Sequence, residues 1–316
     1  MSINRTKLGL GLILGTVAIL ALSTKPYAQD QIIADVHMHP HPANDPTDVL
    51  AWMDRNNVQW AGLGPMTGGR SVREHYAEVM GSRYIPFGGQ SQLNMIYRDG
   101  GNDALEDPER DDFKALMKML EEDFAAGKLK GIGEIFANAR TTSKAWMGRK
   151  MRIDAPTNRA MLDLAAKHGG VLNMHLQWDK DSVKELGVLA GSNPAGRIVI
   201  AHCGSNTKPD DIRAILKKHQ NLYCDLSARH PPKMSPKLMK KKPEQKIFTA
   251  KSLNKGWRKL IEEMPDRFMV GTDTKTEKHY DKGIEVIRKG LLANLTPETA
   301  KKVAYANAQK LFSLTK

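Results

Sequence analysis

The sequence contains only two cysteines, Cys203 and Cys224, among 316 residues. With so few, no disulfide framework holds the chain together, and a chain of this length buries enough surface to be stable without one. Both cysteines lie in apolar runs that are typical of strands, so we interpret them as small buried core residues. A metal-binding or redox role is the minor alternative.

Two common catalytic motifs are also missing. No G-x-G-x-x-G follows the first predicted strand, which argues against dinucleotide binding. No G-x-S-x-G marks a serine nucleophile. The remaining composition, 41% hydrophobic and 26% charged, is ordinary for a soluble globular enzyme and excludes disorder, collagen and coiled coil.

Acidic residues are fewer than basic ones, since the sequence has 48 Lys and Arg and 35 Asp and Glu, which gives a formal net charge of +13. Removal of residues 1–28 would take away Arg5, Lys7 and Lys25 and no acid, leaving 13 − 3 = +10. A basic balance favours anionic partners without naming one.

Residues 1–28 have the layout of a secretory signal peptide. Arg5 and Lys7 precede an uncharged apolar run, 8–22, which a polar stretch follows. At about 15 residues the run is shorter than the roughly 20 that cross a bilayer, although an uncleaved anchor is the alternative. We therefore expect a mature domain, 29–316, in the periplasm or outside the cell, with no membrane span after cleavage.

From residue 31 onward, short apolar runs rich in β-forming residues alternate with longer helical patterns. Strands buried on both faces and separated by helices are typical of a parallel sheet. The predicted strands are 32–39, 60–66, 84–90, 129–136, 171–177, 197–204, 222–228 and 267–274. Eight right-handed β/α units predict an α/β protein with a (β/α)8 TIM barrel, and a doubly wound open sheet is the runner-up.

The helical stretches show apolar residues at three-and-four spacing. The clearest are 112–126, 155–169 and 208–219. The segment 276–316 predicts two extra C-terminal helices outside the barrel, one of them starting at Thr296.

Two long loops follow the fourth and seventh predicted strands, at 137–154 and 229–254. The second is rich in Lys and Pro, and it is either a solvated surface loop or a mobile basic lid over the site.

Barrel enzymes carry their chemistry at the carboxyl ends of the strands, and polar residues recur there. His37 and His39 are two residues apart on one strand, so they project from the same face and can reach one ion. Imidazole is a usual ligand for zinc and similar ions. The later strands end at Glu134, His175, His202, Asp225 and Asp273. Six of these seven residues, all but Asp225, form the expected ligand set, and Glu134 could bridge two cations.

The order H-x-H, Glu, His, His, Asp along the β/α units resembles the amidohydrolase superfamily, most closely its amidohydrolase-related metal-dependent hydrolases with a TIM-barrel fold. The resemblance covers 31–316 and includes GIGEI, NMHLQ, AHCG, DRFMVGTDT and NAQKLF. It implies that His37 and His39 bind the more buried ion and, if two ions are present, that His175 and His202 bind the more exposed one.

The resemblance also implies that Asp273 touches metal and acts as the base. Many relatives bridge two ions with a carboxylated lysine, whereas this chain has Glu134, as TatD-type nucleases do. The resemblance leaves the number of divalent ions at one or two, and zinc is preferred over manganese or iron.

The implied activity is hydrolysis of an ester, lactone, amide or phosphoester in a small, anionic substrate by metal-activated water. A metal-dependent decarboxylase of the same superfamily and a TatD-type nuclease are the alternatives. Nucleic acid is not the expected partner, because the basic run 237–242 has no aromatic residues around it for base stacking. A non-catalytic scaffold is disfavoured because no expected ligand is missing, and the oligomeric state is left open.

Substrate-binding candidates rest on position. Arg140 and Arg229 lie in the long loops, where a guanidinium can hold a carboxylate or phosphate. Gln177 lies just beyond His175. Asp225 could bind substrate, accept a hydrogen bond from a ligand histidine, or cap its strand. Further loop candidates are Arg149 and His230.

Overall fold

The computed structural model describes residues 31–139, 148–233, 246–274 and 276–315. The predicted signal peptide, Arg140 and the basic run 237–242 lie outside these residues. Within the described ranges, no helix combines the length and apolar character needed to cross a membrane.

Parallel strands close into a barrel. The strands are β1 (Ile33–Asp35), β2 (Val58–Ala61), β3 (Phe87–Gly89), β4 (Gly131–Asn138), β5 (Val171–Leu176), β6 (Arg197–Ile200), β7 (Leu222–Asp225), the hairpin pair β8 (Phe248–Thr249) and β9 (Ser252–Leu253), and β10 (Phe268–Met269). Six of them are hydrogen-bonded in the order β10-β7-β6-β5-β4-β3, and β1 pairs with β2. Parallel bridges Met38–Thr274 and Ala61–Tyr84 join the two groups at both edges. The predicted (β/α)8 barrel is therefore confirmed.

Every predicted barrel strand overlaps an observed one, but several end earlier than predicted. The strand predicted over 197–204 ends at Ile200, and that predicted over 267–274 ends at Met269. His202 and Asp273 have φ of 57° and 50°, a left-handed conformation that breaks an extended strand. The backbone leaves the sheet where the candidate ligands begin.

The helices surround the barrel. They are α1 (Pro46–Arg55), α2 (Gly69–Met80), α3 (Gln90–Glu106), α4 (Asp111–Ala125), α5 (Pro156–Lys167), α6 (Lys180–Ser192), α7 (Pro209–Lys218), α8 (Lys255–Glu263), α9 (Glu277–Val286), α10 (Pro297–Lys301) and α11 (Asn307–Phe312). The predictions at 112–126, 155–169 and 208–219 agree with α4, α5 and α7 within two residues. Thr296 caps α10 by accepting a hydrogen bond from Thr299 N, so the predicted C-terminal helix start is also correct.

The buried apolar side chains form two clusters, of which one is much smaller. The smaller cluster joins side chains in and beside the strands to the C-terminal segment: Ala34, Val36, Trp60, Leu63, Ile85, Phe87, Val171, Val199, Met269, Ala308, Leu311, Phe312 and Leu314. The rings of Phe87 and Phe312 meet edge to face at 5.8 Å, so α11 packs at the amino-terminal end of β3. Cys203 and Cys224 are buried and unbridged, as expected.

The predicted loop 229–254 is only partly a loop, which corrects the sequence interpretation. Phe248 and Thr249 pair antiparallel with Leu253 and Ser252 in the β8–β9 hairpin. Gly290 lies in the π-helical turn Ile287–Leu291, which continues α9. A Cβ on Gly290 would lie 1.7 Å from Thr249 O, so this turn approaches the hairpin closely.

Candidate metal centre

Four histidines surround one buried carboxylate at the carboxyl ends of the strands. Glu134 Oε2 lies 3.6 Å from His37 Nε2 and 3.4 Å from His39 Nε2. Glu134 Oε1 lies 3.0 Å from His175 Nδ1 and 3.2 Å from His202 Nε2. Each carboxylate oxygen therefore faces one pair of histidines, which is the arrangement of a bridging ligand.

Asp273 completes the cluster from the segment that follows the last strand. Its Oδ1 lies 3.9 Å from His39 Nε2. The triads His37, His39, Asp273 and His37, Glu134, His202 each place their ligand atoms within 4.8 Å of one another. Ligands at about 2.1 Å from a tetrahedral ion lie roughly 3.4 Å apart, so this spacing fits a divalent cation. All six predicted ligands meet in one place.

Hydrogen bonds set the orientation of three of the histidines. His37 Nδ1 lies 3.0 Å from Asp225 Oδ2, and an ionised carboxylate only accepts, so His37 donates from Nδ1. His39 Nδ1 likewise donates to Gly64 O at 3.0 Å. The lone pair of each Nε2 then points into the cluster, and His37 Nε2 is a buried atom without a hydrogen-bond partner.

His202 is oriented through a hydroxyl. Ser227 Oγ donates to Asp225 Oδ1, so it accepts from His202 Nδ1 at 2.7 Å. This leaves the His202 Nε2 lone pair for the cluster as well. A buried atom that lacks a partner, beside convergent lone pairs and two carboxylates, fits a bound cation.

His175 approaches the centre with its other ring nitrogen. Its Nδ1 faces Glu134, while Ser205 Oγ lies 3.3 Å from its Nε2. Burial lowers the pKa of His175, which favours the neutral ring that can coordinate a metal.

The carboxylates of the centre are ionised. Burial alone would raise the pKa of Glu134, but a positive charge on His37 and hydrogen bonds from the histidines outweigh it and hold that pKa well below its usual value. Burial lowers the pKa of His37, but the charges of Asp225 and Glu134 outweigh it and raise that pKa well above its usual value. Without a cation, His37 Nε2 therefore carries a proton, and a bound metal would displace that proton and use the lone pair. Burial likewise opposes ionisation of Asp225, and His37 again outweighs it, so the pKa of Asp225 is also lowered. Buried negative charge of this kind needs a positive partner, which is either the proton on His37 or a divalent cation that displaces it.

Another buried carboxylate, that of Asp35, joins the first strand to the segment after the last strand. Asp35 accepts hydrogen bonds from His37 N at 3.2 Å and from Thr272 N and Oγ1 at 2.9 and 2.7 Å. Asp273 N donates to His37 O at 2.6 Å. Asp35, like Ser227, was missed by the sequence reasoning. Only its place two residues before His37 could have signalled it.

Asp225 makes the contacts expected of a residue that accepts a hydrogen bond from a ligand histidine, which is one of the three roles considered for it. It is fully buried, and its oxygens accept from His37, Ser227 and the His202 backbone N–H, the last at 3.1 Å. These contacts place it behind the histidines. A direct contact with substrate stays an untested prediction.

Arg229 anchors a loop. Its Nη1 donates to Gly204 O and Thr207 Oγ1 at 3.0 and 2.6 Å, and its Nη2 to Thr207 O at 2.7 Å. The guanidinium also lies 4.8 Å from the centroid of the Trp257 ring. It therefore joins the loop after β7 to the loop after β6, and its role in substrate binding stays a prediction.

Two other candidates for substrate binding, Gln177 and Arg149, differ in their surroundings. Gln177 follows β5 and is half-buried, with its backbone N–H donated to Asn138 O at 2.9 Å. Arg149 is buried, donates from Nη1 to Asn94 Oδ1 at 2.9 Å and lies 5.8 Å from the Phe136 ring centroid, which in turn contacts His175 at 5.1 Å. Arg149 thus supports the wall beside the centre.

His230 is packed close to the centre. Its ring stacks on Phe248 with centroids 4.4 Å apart, and its Nδ1 lies 2.7 Å from Pro231 O. Burial lowers the pKa of His230 despite these hydrogen bonds, so the folded protein holds it neutral.

We expect His230 to make stability pH-dependent. The unfolded chain protonates this histidine near pH 6.5 and the folded protein does so only at lower pH, so its contribution is lost as the pH falls below about 6.5. The measurement is urea unfolding with chelator present. The difference in free energy of unfolding between wild type and His230→Asn should become smaller from pH 7.5 to pH 5. The difference between wild type and His230→Phe should become smaller in the same way, because phenylalanine also cannot titrate. A constant difference would contradict the assignment.

The barrel and the histidine–carboxylate cluster at its carboxyl-terminal face define a TIM-barrel protein with a candidate metal centre. The Amidohydrolase family model matches residues 34–314. The chain belongs to this family.

Solved structures share the fold at low identity. A 2-pyrone-4,6-dicarboxylic acid hydrolase, described as probable, from Acinetobacter baumannii is 12% identical, with a TM-score of 0.55 over 90% of this chain and 99% of that one. A 5-carboxyvanillate decarboxylase from Sphingomonas paucimobilis is 13% identical, with a TM-score of 0.53 over 91% and 100%. A TatD homologue from Escherichia coli is 11% identical, with a TM-score of 0.57 over 91% and 100%. No curated protein matches the chain.

Proposed function

We propose that the protein is a divalent-metal-dependent hydrolase that cleaves an ester, lactone, amide or phosphoester bond in a small anionic substrate. The observation that carries this proposal is the convergence of oriented histidine lone pairs on Glu134 and Asp273. The family contains this type of chemistry, and the similar dicarboxylic acid hydrolase acts, by its name, on an anionic substrate.

We further propose two ions, with zinc preferred and manganese or iron as alternatives. The supporting geometry is the division of Glu134, whose Oε2 faces His37 and His39 while its Oε1 faces His175 and His202. Divalent cations bound there would supply a water whose pKa falls from about 15.7 to about 7 and would polarise a substrate oxygen.

The residues of the chain divide the remaining work. Asp273 has a side chain 21% exposed, whereas Glu134 and the four histidines are at most 6% exposed, so Asp273 faces the entrance. There it can accept the proton of the attacking water and return it to the leaving group. Asp225, Ser227 and Gly64 O keep the imidazole rings from turning.

Decarboxylation is the second candidate, since the similar decarboxylase shares the fold. The bridging position of Glu134 favours the hydrolytic alternative, because it provides for two ions rather than one. A TatD-type nuclease is the third candidate and rests on the fold and on Glu134. We also propose export to the periplasm or cell exterior, on the pattern of residues 1–28 alone.

The test is metal content per chain by elemental analysis of the purified protein, before and after chelation. We expect two ions per chain and chelator-sensitive hydrolysis within a panel of carboxylate-bearing esters, lactones, amides and phosphoesters. One ion with carbon dioxide release from an aromatic carboxylate would favour the decarboxylase. Absence of metal after reconstitution would overturn the proposal.

A further inference from the structure

A lysine lies beside the candidate base at the entrance to the centre. Lys233 Nζ is 3.4 Å from Asp273 Oδ1, the oxygen that also faces His39. Its side chain is 31% exposed, more than that of any of the six predicted ligands. Lys233 therefore adds a positive charge on the solvent side of the cluster.

The fold holds the backbone before Lys233 in place. Arg229 fastens the segment to the loop after β6, and His230 stacks on Phe248. Two prolines follow, and each fixes its own φ. The hydrogen bonds of Arg229, the stacking of His230 and the two prolines together hold the backbone that places the lysine beside Asp273. The position of Lys233 therefore follows from the packing of this loop.

Charge favours a substrate-binding role over simple neutralisation of Asp273. In the proposed centre the carboxylate of Asp273 already serves a cation, which makes an adjacent ammonium unnecessary for stability. An ammonium with three donors on a flexible stem suits a carboxylate or phosphate oxygen arriving from solvent. Building on the proposed function, we propose that Lys233 binds the anionic group of the substrate at the entrance and so selects anionic substrates.

The experiment measures anion affinity rather than turnover. Benzoate, its neutral analogue benzamide, and inorganic phosphate are titrated by calorimetry into wild type, Lys233→Gln and Lys233→Arg. Lys251→Gln is the matched control, since it removes the same charge from the exposed turn of the β8–β9 hairpin. Metal content is measured on the same samples.

We expect wild-type protein to bind benzoate or phosphate more tightly than benzamide. Lys233→Gln should weaken that binding about tenfold, as expected for a hydrogen bond to a charged group, with metal content unchanged. Lys233→Arg should restore most of the affinity, and Lys251→Gln should match wild type.

Equal anion affinities in the two glutamine variants would overturn the inference, as would undetectable binding of both anions by wild type. A loss of metal from Lys233→Gln without a change in anion affinity would show that the lysine serves Asp273 alone. The outcome is separable from that of the proposed function, because anion affinity decides the first and the metal content and hydrolysis of wild type decide the second.

Discussion

Asp273→Asn is expected to lower turnover by about 10²- to 10⁴-fold, the usual contribution of a general base, while the protein stays folded. Asparagine keeps the size of the side chain but loses the proton-accepting carboxylate. Burial opposes ionisation of Asp273, yet nearby Lys233 and the histidines lower its pKa, so the wild-type side chain is a carboxylate at neutral pH, the form in which it can accept a proton. The measurement is kcat on the best substrate of the panel, with circular dichroism on the same preparation.

Asp266→Asn is the matched control for this variant. Asp266 has a side chain 68% exposed and pairs with Lys302 on the surface, so its loss should leave kcat unchanged. Full activity in Asp273→Asn would remove Asp273 from the mechanism, and an equal loss in both variants would point to an effect unrelated to the centre.

Glu134→Gln is expected to empty the metal centre. The amide has lost the negative charge that faces four histidines, and its N–H groups would point at lone pairs that should hold a cation. Bound metal stabilises only the folded state, so chelation should lower the wild-type melting temperature by about 5–10 °C and leave that of Glu134→Gln unchanged. Elemental analysis and thermal unfolding with and without chelator check both parts.

Glu298→Gln, at a side chain 83% exposed, controls for the loss of one carboxylate. It should retain wild-type metal content and the full response to chelator. Normal metal content in Glu134→Gln would contradict the bridging role, whereas loss of one ion with retention of the other would assign Glu134 to a single site.

Local patterns were sufficient to predict the architecture. Apolar runs that alternate with amphipathic helices reveal the number and order of the barrel strands, because each β/α unit shows its own periodicity. The strand ends were predicted less well, since the left-handed conformations of His202 and Asp273 depend on tertiary contacts that periodicity does not encode.

Assignment of the substrate-side residues could not be made from position along the chain. Arg229 lies in a long loop, and only the folded protein shows its guanidinium turned toward Gly204 O, Thr207 and Trp257. Lys233 belongs to no motif in the sequence. It lies beside Asp273 because the preceding segment is packed against β8 and the loop after β6.

The sequence by itself determined the barrel and the residue types of the metal centre, because parallel strands bring their carboxyl ends to one face of the fold. Tertiary structure alone decided how those residues are oriented. Asp225 turns the ring of His37 from 188 positions away, and the Oγ of Ser227 and the carbonyl of Gly64 turn the rings of His202 and His39. Hydrogen bonds between such distant residues exist only after the chain has folded, so no local pattern could predict them.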